Sequence, residues 1–298
     1  MMSSGFHGAA RTIGCGIATS LALAAAGFSE AARAAEPLVQ AAGVAAGAGN
    51  PHLAVVDVRP AAAFQAGHIP GAMSADYRTA GWTVPGPAGA AAALPPVERL
   101  AAAIGALGVG DGDEIVIVAG DFPAAARVYW TFKVLGHTEV SILDGGWAAW
   151  LGPVESGSAT RGPAVFTPHY NAALRAELPE VAAALARGSA TLVDARPASQ
   201  WSGAVLSPLV HAGGHIPGAV SLDESAILTA DGRLRPRDAL AQLFAPAGEK
   251  PAIVYCNAGY LSAADWFVLS EVLHRPDAKL YEGSMSEWTS DASRPVVR

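Results

Sequence analysis

The chain has 298 residues, 51% of them hydrophobic and 15% charged, with a formal net charge of −7. That length accommodates two domains of about 100–150 residues each, and the composition fits packed cores and excludes a disordered chain. An acidic chain without a Lys/Arg cluster, its lysines scattered at Lys133, Lys250 and Lys279, offers no electrostatic footprint for nucleic acid.

Residues 1–34 read as a targeting segment. Arg11 supplies a positive n-region, Ile13 to Phe28 is a run of apolar and small residues, and Ala32-Arg33-Ala34 has the small residues expected before a cleavage site. The run is interrupted by Gly14, Gly16, Thr19 and Ser20 and is short for a bilayer span, which argues against a membrane anchor. No later stretch is apolar enough to cross a membrane, so the mature chain is expected to be periplasmic or secreted and free of the membrane. Cys15 precedes the apolar run, against lipid attachment, and leaves with the segment. One thiol, Cys256, then remains, and no internal disulfide can form.

From residue 35 the chain repeats itself. Leu53-Ala54-Val55-Val56-Asp57-Val58-Arg59-Pro60, followed by Gly67-His68-Ile69-Pro70-Gly71-Ala72, returns as Leu192-Val193-Asp194-Ala195-Arg196-Pro197, followed by Gly214-His215-Ile216-Pro217-Gly218-Ala219. So long a period means a duplicated domain and not a solenoid repeat. The second copy carries an insertion around Ser202 to Gly213. Val116 to Gly120 answers Ala252 to Cys256, which puts Gly120 at the position of the cysteine and Trp130 in register with Trp266. Leu143 to Trp150 likewise answers Tyr281 to Trp288.

Short β-branched runs alternate with helical stretches in each half, which predicts an α/β fold with a mainly parallel sheet flanked by helices. In the first half strands are expected near 53–58, 114–119 and 140–143, and helices near 97–107 and 124–135. The stretch from Trp82 to Pro96 is expected to be a surface loop without chemistry. Gly152-Pro153, Ser156-Gly157-Ser158 and Gly162-Pro163 mark a linker. The division is therefore 35–151, a linker at 152–170, and 171–298.

Cys256 is expected at a strand-to-helix turn. Ile253-Val254 ends a buried strand, and Ala263 to Leu269 has apolar residues at helical spacing. Such a turn aims backbone N–H groups and the positive end of the helix dipole at one point, which favours a thiolate and an anion beside it. Gly259 suits a loop folding around an anion, since it is free to take a positive φ. Free cysteine is more often a small buried hydrophobe, but a lone thiol in an exported chain is a liability unless used. His211 and His215 are separated by Gly213-Gly214, which argues against a helical metal pair; no metal or cofactor is expected.

The paired Asp-x-Arg and Gly-His-Ile-Pro-Gly-Ala motifs, the Cys256-x-x-Gly259 turn in the second copy only, and the closing Tyr281-x-Gly283-Ser284-x-x-Glu287-Trp288 resemble the tandem-domain rhodaneses, the thiosulfate and 3-mercaptopyruvate sulfurtransferases. The resemblance spans essentially all of the chain after residue 34 and implies two rhodanese-like domains, the first catalytically silent. It implies that Cys256 takes a sulfane sulfur from a small anionic donor, becomes a persulfide, and passes the sulfur to a thiophilic acceptor such as cyanide or a thiol. Thiosulfate is the expected donor. 3-Mercaptopyruvate is the alternative, and a third possibility is a persulfide carrier that serves a sulfur-accepting protein partner. The family's active loop maps onto Cys256 through Leu261, so the expected substrate-binding residues are Asn257, Ala258, Gly259, Tyr260, Leu261 and Ser262, with Arg196 as the nearest basic candidate. Tyr260 and Trp288 are candidates for the pocket wall. The chain departs from the family in lacking basic residues after the cysteine, in Leu261 where a Thr is usual, and in Gln200 where an Arg is usual.

Arg196 also has a structural reading, because Arg59 repeats it in the silent half; His68 and His215 repeat in the same way. A phosphatase built on Cys-x5-Arg is disfavoured, because Ser262 stands where that Arg would be and Tyr255 where a His would precede the cysteine.

Overall fold

The computed structural model describes residues 35–298 together with Gly5, so the expected targeting segment and Cys15 lie outside the described residues. In the first half, strands β1 (Leu38–Val39), β2 (Leu53–Asp57), β3 (Met73–Ser74), β4 (Glu114–Val118) and β5 (Val140–Leu143) form a sheet of order β1-β5-β4-β2-β3. In the second, β6 (Thr191–Asp194), β7 (Val220–Ser221), β8 (Ala252–Tyr255) and β9 (Lys279–Leu280) form a sheet of order β7-β6-β8-β9. Every pairing in both sheets is parallel. A parallel bridge from Arg175 to Leu280 takes the place in the second sheet that β1 holds in the first.

Helices cover the sheets. The first half has α1 (Ala41–Ala46), α2 (Ala61–Ala66), α3 (Val97–Ala106) and α4 (Phe122–Val134); the second has α5 (Leu178–Arg187), α6 (Ala198–Trp201), α7 (Arg237–Leu243), α8 (Leu261–Phe267) and α9 (Ser284–Trp288). The central strands β4 and β8 are apolar on both faces because each is sandwiched, with Ile115 to Val118 and Ala252 to Tyr255 all buried. Residues 152–170, the expected linker, contain no helix or strand.

The halves meet through α4 and α8. Tyr129 packs its ring on Trp266 at 6.4 Å and on Phe267 at 4.9 Å, and Phe122 meets Phe267 edge-on at 5.4 Å. One continuous apolar cluster therefore holds Cys256 together with residues of both sheets. The stretch from Trp82 to Pro96 is not the detached surface loop that its composition suggests. Trp82, Ala90 and Ala93 are buried, and the Ala91 N–H donates to Ser286 Oγ of α9 at 3.0 Å. Small residues permit that approach: a Cβ on Gly89 would lie 2.8 Å from Ser290 Cβ.

The register corrects the expected equivalence of Gly120 and Cys256. Asp57 pairs with Val118 and Asp194 with Tyr255, so Ala119 answers Cys256. The carbonyls agree, since Ala119 O accepts from Trp147 N and Cys256 O from Met285 N. In the first half Asp121 caps α4 at once, accepting the Ala124 N–H at 3.0 Å. In the second, four loop residues separate Cys256 from α8. The loop after Cys256 is thus longer than its counterpart in the first half, and a sequence alignment without gaps shifts the match by one.

Candidate active site

Cys256 directly follows β8, at the carboxyl end of the parallel sheet, where open α/β folds place their ligand sites. It is the free cysteine among the described residues and is 1% exposed. Ser262 Oγ donates to its Sγ at 3.3 Å from the first turn of α8. Gly259 takes φ +77°, and a Cβ there would lie 2.8 Å from Glu282 Cα, so both conformation and space require the glycine.

The loop is pinned from outside. Ser284 Oγ accepts the N–H of Cys256 and of Gly259, each at 3.1 Å, and donates to Tyr281 O at 2.8 Å. The Ser286 N–H holds Asn257 O at 2.9 Å. By contrast, the N–H groups of Asn257, Ala258, Tyr260, Leu261 and Ser262 donate to no group among the described residues. A short segment with five free donors is a receptor for negative charge.

The predicted residues come together, though not in equivalent roles. Ala258, Gly259 and Ser262 are buried with the thiol, while Asn257, Tyr260 and Leu261 are partly exposed. Asn257 Nδ2 donates to Gln200 Oε1 at 2.7 Å, so the residue standing where the family has an arginine is a loop anchor here. Tyr260 donates its hydroxyl to Asp121 Oδ1 across the interface and tilts against Tyr77 at 5.1 Å. Trp288 is no wall of the site: it is 1% exposed in the core of the second half and donates to Pro295 O.

Arg196 differs from the substrate-binding residue expected. It is 1% exposed, clamps Asp194 through Nε at 2.9 Å and Nη2 at 2.6 Å, and donates to Gly214 O at 2.7 Å; only Nη1 turns toward Asn257 Oδ1, at 3.5 Å. Burial works against its charge, but the bonds to Asp194 prevail and hold it above the ordinary arginine range. Arg59 makes the same clamp with Asp57 and Gly67 O in the first half. The duplicated arginine ties strand end to turn, and at the second site it acts through Asn257. The duplicated histidines are equally structural: His68 stacks on Phe64 at 3.9 Å and His215 on Trp201 at 3.8 Å.

Two buried acids were not assigned by sequence. Asp265, one turn after Ser262, is fully buried with both carboxylate oxygens unpartnered among the described residues; burial first, then Glu224 and Cys256, pushes its carboxyl well above the usual range. Glu224 is pushed up to about 7 by burial, with Asp223 and Asp121 adding to the shift. Nothing in their local sequence signals this, because the cause is tertiary burial.

The chain is similar to known proteins in sequence and in fold. The Rhodanese-like domain model matches residues 40–152 and again 177–291. A thiosulfate sulfurtransferase of Corynebacterium glutamicum is 31% identical over 292 residues, covering 88% of this chain and 90% of that protein. A 3-mercaptopyruvate sulfurtransferase of Escherichia coli K12 is also 31% identical, over 266 residues that cover 83% of this chain and 92% of that protein. A crystal structure from Escherichia coli, described as the rhodanese fold of 3-mercaptopyruvate sulfotransferases, superposes with a TM-score of 0.72 at 28% identity, over 83% of this chain and 98% of that one.

Proposed function

Given that the chain belongs to the rhodanese-like family of sulfurtransferases, we propose that it moves a sulfane sulfur from thiosulfate to a thiophilic acceptor through a persulfide on Cys256. The observation that carries this reading is the thiol itself: it stands at the sheet's carboxyl end, in a loop whose N–H groups of Asn257, Ala258, Tyr260, Leu261 and Ser262 have no partner among the described residues.

In the first half-reaction the Cys256 thiolate attacks the outer sulfur of thiosulfate. A new S–S bond forms, the old one breaks, and sulfite departs with the electron pair. The terminal sulfur of the persulfide is anionic, and free backbone donors stabilise it without a metal. Ser262 Oγ, already bonded to Sγ, can turn its donor to either sulfur. In the second half-reaction cyanide or a thiolate attacks the terminal sulfur, and Cys256 leaves as thiolate. Gly259 permits the loop's turn, and Arg196 and Gln200 hold it through Asn257. Export with loss of residues 1–34 belongs to the same proposal; the N-terminal mass of protein from the periplasmic fraction tests it.

Thiocyanate formation from cyanide, with thiosulfate and 3-mercaptopyruvate side by side, tests the reaction and the donor. Turnover with thiosulfate that disappears in Cys256→Ser supports the proposal. A preference for 3-mercaptopyruvate reassigns the donor, and no turnover from folded protein with a free thiol points to a persulfide carrier for a protein acceptor.

A further inference from the structure

The active loop contains no lysine or arginine, and Arg196 is consumed by Asp194 and Gly214. An anionic donor nevertheless has to reach a thiol that is 1% exposed. The other half supplies a cation. Arg127 of α4 is fully buried, yet no carboxylate pairs with it among the described residues, and its Nε and Nη1 have no hydrogen-bond partner. What holds it in place uses little of its capacity: Nη2 makes a long 3.4 Å bond to Ala92 O, and the guanidinium lies over the Trp130 ring at 4.5 Å. A buried, always-charged group with idle donors is costly unless something meets it.

Its surroundings point to the site. The Tyr77 ring leans on Tyr260 of the active loop; burial pushes its phenol up, Arg127 opposes that shift and Cys256 adds to it. Asp121, the acid of this neighbourhood, is already occupied by the Ala124 N–H and the Tyr260 hydroxyl. The Ala92 carbonyl that Arg127 touches follows Ala91, which is bonded to Ser286 of the closing helix.

We propose that Arg127, contributed by the half without the thiol, is the cation that receives the oxyanion end of the sulfur donor at the Cys256 site. The group received is the sulfonate-like end of thiosulfate or the carboxylate of 3-mercaptopyruvate. Both present the same chemistry to a guanidinium. The inference rests on Cys256 being the sulfur-carrying residue, and it gives the silent half a role in the reaction.

The test reads anion recognition apart from sulfur transfer. Rates of alkylation at Cys256 are measured with iodoacetate, an anion, and iodoacetamide, its neutral counterpart, each relative to 2-mercaptoethanol. The wild-type protein should favour iodoacetate. Arg127→Met should lower that preference severalfold with the iodoacetamide rate unchanged, and Arg127→Lys should restore part of it. In turnover, Arg127→Met should raise KM about tenfold for whichever donor Arg127 receives, which separates thiosulfate from 3-mercaptopyruvate. No iodoacetate preference in the wild type, or a preference and KM within twofold of wild type in Arg127→Met, would overturn the assignment. If Arg127→Met does not fold, Arg127→Lys decides by the same two readouts. Loss of thiocyanate formation in every protein, with the alkylation preference intact, would instead sink the sulfur-transfer reading and leave an anion site beside the thiol.

Discussion

Ser284 Oγ accepts the backbone N–H of Cys256 at 3.1 Å, although the two residues belong to different turns of the second half. The same oxygen takes the Gly259 N–H, so one hydroxyl fixes the loop at the thiol and at its left-handed glycine. Ser284 itself sits at φ +54°, a conformation that serine rarely adopts. Strain at one residue thus accompanies a defined loop at another.

Ser284→Ala is expected to strand both N–H groups and to cost about 2–6 kcal/mol, since each buried donor left unmade costs about 1–3 kcal/mol. Ser284→Gly removes the same hydroxyl but relieves the positive φ, worth about 1 kcal/mol. Urea unfolding should therefore rank wild type above Gly above Ala, with the rate of sulfur transfer reduced in both variants. A ranking of Ala above Gly would mean that the backbone there is unstrained.

Cys256→Ser and Cys256→Ala are expected to abolish thiocyanate formation and leave the circular dichroism spectrum unchanged. The side chain is small, and its recorded hydrogen bond is the one accepted from Ser262. Turnover above the uncatalysed rate in either variant would remove Cys256 from the mechanism.

Ala119→Cys in a Cys256→Ser background is expected to fold and to show no sulfur transfer. Ala119 and Gly120 border a cavity of about 440 Å³, so an added sulfur has room. The chain beyond them enters α4 directly at the Asp121 cap, after two residues where four separate Cys256 from α8, so it cannot form the same loop. Activity recovered in that variant would show that the loop contributes nothing beyond the thiol.

Glu224→Gln should make the protein less sensitive to alkaline pH. The Glu224 carboxyl is raised from 4.5 to about 7, so between those values the folded state holds a proton that the unfolded state releases. Its contribution to stability is complete below pH 4.5 and is lost as pH rises through about 7. The lost contribution is at most roughly 3 kcal/mol. Urea unfolding at pH 5 and pH 8 should show the variant gaining on wild type at the higher pH. An equal difference at both would mean that Glu224 is hydrated.

Much of the site was legible in the chain. The strand at 253–254, the cysteine after it and the glycine three residues later obey local rules, and the structure has β8, Cys256 and a Gly259 at positive φ in those places. The strand at 140–143 and the helix from 97 were equally plain, because their apolar spacing is read within one element. For Arg196 the sequence left a substrate role and a structural one open: its neighbour Asp194 is visible in sequence, but the burial that makes their clamp complete is not.

The duplicated motifs and Cys256 by themselves determined the two-domain parallel architecture, the family and the position of that thiol, since each is encoded within a few consecutive residues. Tertiary structure alone decided that Ala119 and not Gly120 answers Cys256, because strand register, not residue count, sets the equivalence. It alone decided that Ser284 pins the loop, and that Arg127 of the first half is buried with Nε and Nη1 unpartnered among the described residues. Those relationships join segments far apart in the chain, and they exist only once α4 packs against α8 and the two sheets share one core.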